Sequence, residues 1–98
     1  MDRRRHTRLS VEVAATYRAA TGRYRTGFVT QISATGCRLA EGEGSLATGE
    51  RIELNLGPVG PLPATVRWCA HHDAGVEFDM PLESAIVGYF TAYCPRAA

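Results

Sequence analysis

Leu9-Ser10-Val11-Glu12-Val13-Ala14-Ala15-Thr16-Tyr17-Arg18 sets Leu9, Val11, Val13, Ala15 and Tyr17 on one face and Ser10, Glu12, Thr16 and Arg18 on the other. Period two over that length predicts a half-buried strand. The same signature recurs along the chain. Tyr24 to Ile32 is rich in aromatic and β-branched residues and reads as a second strand after the Thr21-Gly22 turn. Cys37-Arg38-Leu39 predicts a short third strand, followed by a polar loop from Glu41 to Gly49. Ile52, Leu54 and Leu56 alternate with Glu53 and Asn55 as a fourth. Gly57-Pro58-Val59-Gly60-Pro61 reads as a turn rich in breakers. Ala64, Val66, Trp68 and Ala70 alternate with Thr65 and Arg67 as a fifth, and Val76 and Phe78 with Glu77 and Asp79 as a sixth.

The period then changes. Leu82, Ile86, Tyr89, Phe90 and Tyr93 form one stripe of a helix over about 82–94. Pro81 suits its first turn, Glu83 complements the N-terminal dipole, and Pro95 stops it. Six short, mostly antiparallel strands favour a small barrel, which closes its own edges, with the helix over an open end or an apolar face. Tyr89, Phe90 and Tyr93 are read chiefly as core, with Tyr93 the member expected at the surface.

A chain of 98 residues, 45% hydrophobic and 21% charged, fits one domain with one small core. No apolar run of about 18 residues predicts a membrane span. The basic start lacks the apolar segment of a secretory signal. Cys37, Cys69 and Cys94 are odd in number and widely spaced, which fits reduced thiols and a cytoplasmic location. The net charge of +1 hides an asymmetry. Residues 1–25 carry a balance of +5, and residues 26–98 a balance of −4. Arg3, Arg4, Arg5 and Arg8 precede the first strand, so no core requires them there. Residues 1–8 are therefore expected to be a flexible arginine-rich arm that grips an anion, and 9–98 a single barrel domain.

Arg4-Arg5-His6-Thr7-Arg8 is an RxxxR arrangement, and some 23 residues later comes Gln31-Ile32-Ser33-Ala34-Thr35-Gly36. Val66-Arg67-Trp68 and Gly75-Val76-Glu77-Phe78 follow in order before the helical stretch. Together these resemble the PilZ family of bacterial cyclic di-GMP receptors, whose hallmarks are RxxxR and (Asp/Asn)-x-Ser-x-x-Gly. The resemblance implies a six-stranded antiparallel β-barrel with a C-terminal helix, the ligand lying on its outer surface under the arm. It implies that Arg4 and Arg8 are the motif arginines, with Arg3 and Arg5 adding field strength or substituting by a shift of one. Guanidinium groups fork onto phosphate oxygens or guanine O6/N7 and stack on purines. Ser33 and Gly36 match the motif serine and glycine: a hydroxyl for a phosphate or base edge, and a missing Cβ for close approach or a positive φ.

Gln31 departs from the family's Asp or Asn. Its extra methylene moves the amide by roughly one bond length and adds a rotor. Loss of the charged acceptor is expected to cost about 1.5–3 kcal/mol, or one to two decades of affinity.

No catalytic centre is legible, so an enzyme is not expected. His71-His72-Asp73 lacks further ligands for a metal and reads as a solvated loop. Cys69 near His71 has no third group to orient a nucleophile. Neither a cofactor nor a metal is expected beyond the ligand itself. Nucleic-acid binding is disfavoured because the surface beyond the arm is acidic and lacks a basic–aromatic platform. Two readings remain. One is a cyclic di-GMP receptor that signals to an effector protein when its arm closes. The other is a degenerate PilZ module that acts only through protein–protein contacts.

Overall fold

The computed structural model describes residues 9–19, 22–41 and 46–96. The strands are β1 (Leu9–Ala19), β2 (Arg25–Ile32), β3 (Gly36–Glu41), β4 (Arg51–Leu56), β5 (Val59–Ala70) and β6 (Asp73–Phe78), followed by helix α1 (Ser84–Tyr93). All neighbouring strands are antiparallel. They close into a barrel in the order β1-β2-β3-β6-β5-β4.

Strand β1 explains the closure. Its eleven residues are long enough to serve two partners. Along its length it pairs with β2, and its second half, Ala15–Ala19, also pairs with Leu56–Ile52 of β4. The predicted alternation holds from Val11 onward, with Val13, Ala15 and Tyr17 also buried, whereas Leu9 at the start of the strand is exposed. Ile52, Leu54 and Leu56 meet them from β4, and Leu39, Val66 and Val76 from the other wall. Closure pairs both edges of every strand over part of its length, the first half of β1 remaining open on its β4 side.

Several boundaries differ from the sequence expectation. Only Gly57 and Pro58 turn between β4 and β5, and Leu56 already pairs with Val59. Pro61 and Pro63 are tolerated inside β5 because the ladder to β6 begins only at Ala64, so their missing N–H groups leave no bond unmade there. Glu41 belongs to β3 rather than to a loop, and is buried. The Tyr17 hydroxyl donates to its carboxylate at 3.4 Å and the Leu46 N–H at 3.3 Å, so the charge is hydrogen-bonded as burial demands. His71 and His72 form the two-residue turn between β5 and β6, with His71 at φ 57°.

Helix α1 starts at Ser84, later than expected. Pro81 and Leu82 precede it, and Glu83 is its N-cap residue without a side-chain cap bond. Leu82 N–H donates to the Ala34 carbonyl at 2.7 Å, which ties the segment before the helix to the β2–β3 turn. Of the aromatic stripe, Phe90 enters the core at 1% exposure, whereas Tyr89 (48%) and Tyr93 (75%) face outward. The stripe is thus narrower than the sequence reading, because the face that meets the barrel runs through Ile86, Val87 and Phe90 and leaves Tyr89 and Tyr93 off it.

Candidate functional site

The arginines at 3, 4, 5 and 8 lie outside the described residues, but their point of attachment does not. Leu9, covalently joined to Arg8, pairs with Ile32, and Ser10 pairs with Gln31. Leu9 therefore stands beside the strand residue flanked by Gln31 and Ser33. The last described residue before the arginine motif thus lies beside the β2–β3 turn.

Residues 33–36 form that turn. Ser33 N–H donates to the Gly36 carbonyl at 2.9 Å, and Thr35 N–H donates to Ser33 Oγ at 3.3 Å. The Ser33 hydroxyl donates in turn to the Gly36 carbonyl at 3.3 Å. At 4% exposure, Ser33 has its one proton engaged inside the turn. A phosphate oxygen needs a donor, so this geometry gives Ser33 first the task of shaping the turn. Phe78 N–H reaches the Thr35 carbonyl at 2.9 Å and ties the turn to the end of β6.

Gly36 has an equally local reason. A Cβ there would collide with the Val76 carbonyl oxygen of β6. Of the two explanations the sequence left open, close approach holds: Gly36 is not among the positive-φ residues.

From Ser10 a row of paired residues runs over five strands. Ser10 pairs with Gln31, Gln31 with Arg38, Arg38 with Gly75, and Gly75 with Trp68. The inward residues beside them, Val11, Ile32, Cys37, Leu39 and Val76, are buried, so this row lies on the outer face. Three register shifts border it, between Ser10 and Val13, Val29 and Gln31, and Val66 and Trp68. Bulges re-aim side chains and concentrate beside binding sites. Here the shift in β2 separates the two buried residues Val29 and Ile32 by three positions and leaves Gln31 half-exposed.

The shift in β5 corrects a sequence expectation. Alternation puts Trp68 with Ala64 and Val66 on the inner face, yet it is half-buried on the outside, and Ala70 is exposed. Its indole packs so closely over Gly75 that any Cβ there would overlap it. Arg38 lies alongside, its guanidinium carbon 5.5 Å from the Trp68 ring centroid. Arg38 Nη2 also donates to Asp73 at 2.6 Å, the two side chains being 39% and 31% exposed. The guanidinium is thus held between a carboxylate and an indole, with further donors left over. Such a fork presents hydrogen bonds to phosphate or to a purine edge, and the adjoining ring offers a stacking surface. Sequence reasoning passed over Arg38 as a site residue because its partner Asp73 lies 35 positions away. The available signal was its position two residues after Gly36.

An open groove of about 570 Å³ is lined by Thr35, Arg51, Arg67, Glu77 and Asp79 among others. Its charges are matched. Arg51 holds Asp79 through two bonds of 2.7 and 2.5 Å, and Arg67 Nε donates to Glu77 at 2.7 Å. Hydrogen bonding to Arg51 holds the Asp79 carboxyl below the usual carboxylate range. Paired in this way, the groove has no excess positive charge for an anion. The row through Arg38 is the better candidate, because the arginine-rich segment attaches beside it.

A family model for the PilZ domain matches residues 2–92, spanning both the arginine motif and the turn. No curated protein matches the chain. Among solved structures, that of the Bacillus subtilis inhibitor of motility (MotI/DgrA) covers 96% of this chain at 17% identity and a TM-score of 0.65. The chain spans 50% of the length of that structure, which supports the fold alone.

Proposed function

Since the chain belongs to the PilZ domain family, we propose that it is a non-enzymatic receptor for cyclic di-GMP. The ligand lies on the outer row of Gln31, Arg38 and Trp68, and Arg4 and Arg8 close over it, with Arg3 and Arg5 contributing field. The observation that carries this reading is the pairing of Leu9 with Ile32. It joins the root of the arginine motif to the turn motif, although the two are far apart in sequence. Cyclic di-GMP supplies what such a place accepts: two phosphodiesters for guanidinium forks, and purine faces for an indole. Closure of the 1–8 segment orders new surface, which an effector protein then reads. MotI/DgrA is by its title an inhibitor of motility, and a comparable adaptor role for this chain is part of the proposal.

Isothermal titration tests it. Saturable heat is expected from wild type, and Arg8→Ala is expected to weaken binding roughly 10- to 100-fold, the loss of one charge-assisted contact. Absence of heat at about 100 μM ligand, well above the affinity expected of such a clasp, would contradict the proposal. Equal binding by Arg8→Ala would contradict the assigned arginine.

One observation favours the second reading, a module acting through protein contacts alone. The Ser33 hydroxyl and Gly36 are both accounted for by the barrel itself, without a ligand. Partner capture that is unchanged by saturating cyclic di-GMP would decide for it.

A further inference from the structure

We propose that Arg96, in the segment that follows α1, is a phosphate-binding residue of the same clasp, set in place by a bridge to β1. The proposal rests on the cyclic di-GMP reading of that site.

The segment leaving the helix is fixed by backbone bonds. Cys94 N–H donates to the Phe90 carbonyl at 2.8 Å and closes the last turn. Glu12 N–H donates to the Cys94 carbonyl at 2.9 Å, and Pro95 forms an antiparallel bridge with Val11. Strand β1 has room for this bridge because its ladder to β4 begins only at Ala15. Antiparallel chains run past one another in opposite senses. The residue after Pro95 therefore falls beside the residue before Val11, which puts Arg96 level with Ser10.

Ser10 is paired with Gln31. The outer row thus extends by one chain: Arg96, Ser10, Gln31, Arg38, Gly75, Trp68. Neighbouring strands are about 4.8 Å apart, so the backbones of Arg96 and Gln31 are separated by roughly 10 Å. An extended arginine side chain and a phosphodiester together bridge that gap. Leu9, where the arginine-rich segment joins, lies on the strand between them. A ligand on the row then meets a cation from this far flank as well.

Charge matching narrows the choice of arginine. Arg18, Arg38, Arg51 and Arg67 each have a carboxylate partner. Among the described residues, exposed Arg96 has none. Arg23 is also exposed and unmatched among them, but lies beyond the opposite end of β1. That makes it a control of equal charge.

The test is titration of cyclic di-GMP into wild type, Arg8→Ala, Arg96→Ala, Arg96→Lys and Arg23→Ala. Arg96→Ala is expected to raise Kd about fivefold to tenfold, and Arg96→Lys about twofold to threefold, because charge survives without the fork. Arg23→Ala should stay within about twofold, since exposed charges that far away are screened. Unchanged Kd in Arg96→Ala overturns the proposal, as does an equal loss in Arg23→Ala. A wild type that gives no heat removes the clasp reading and this inference together. Binding that is lost in Arg8→Ala but intact in Arg96→Ala removes this inference alone. Arg96 is exposed, so unaltered melting temperatures will show that the variants remain folded.

Discussion

Gly36→Ala is expected to destabilise the barrel by about 2–3 kcal/mol, a fall in melting temperature of roughly 10–20 °C for a domain of this size. The added methyl would point at the Val76 carbonyl oxygen, a backbone atom of the adjoining strand. A side-chain obstacle could swing away, but here β3 and β6 must separate. Gly36 pairs with Glu77 in that ladder, and Phe78 N–H reaches Thr35 one residue earlier, so the strain falls on the turn itself. Thermal unfolding followed by circular dichroism checks this, and a midpoint within about 3 °C of wild type would contradict it. The outcome also governs how ligand data on this position are read. Lost binding in Gly36→Ala reports a displaced turn rather than a deleted ligand contact.

Phe90→Ala is expected to cost about 3–5 kcal/mol. Phe90 is the one residue of α1 buried to 1%, and it joins Leu82 in the barrel core. Its loss opens a cavity that the closed barrel cannot collapse around, because the facing strands are locked by their ladders. The Tyr89 and Tyr93 rings meet at a 40° tilt with centroids 5.1 Å apart, but both are largely exposed. Tyr93→Ala is accordingly expected to shift stability by no more than about 0.5 kcal/mol. Denaturant unfolding of the two variants separates these cases. Comparable midpoints would mean that the helix is not anchored through Phe90.

Much of the barrel could be read in advance because alternation is a local signal. Val11, Val13, Ala15 and Tyr17 declared their face, as did Ile52, Leu54 and Leu56, and the change of period announced the helix. The errors arose where the outcome depends on a partner strand. Trp68 continues the apolar alternation of β5, yet the register shift against Gly75 sends it outward. Nothing within β5 encodes that shift, since it belongs to the pairing with β6. Glu41 looked like a loop residue because its neighbours are polar, and its burial depends on Tyr17, 24 positions earlier. For the candidate site, Gln31, Ser33 and Gly36 were legible as a motif and are gathered at one turn. Arg38 and Trp68 were not, because only the folded register sets them side by side. The expected roles of Arg3, Arg4, Arg5 and Arg8 concern residues outside those described, and rest on Leu9 and on the family match.

The location of the ligand site is tested most directly by amide and indole NMR shifts of the wild-type protein during titration with cyclic di-GMP. Saturable shifts are predicted at Gln31, Ser33, Arg38 and the Trp68 indole N–H, with new or displaced signals from Arg4 to Leu9. Shifts confined to the opposite end of the barrel, around Arg18, Arg23 and Arg25, or no shifts at all, would contradict the account.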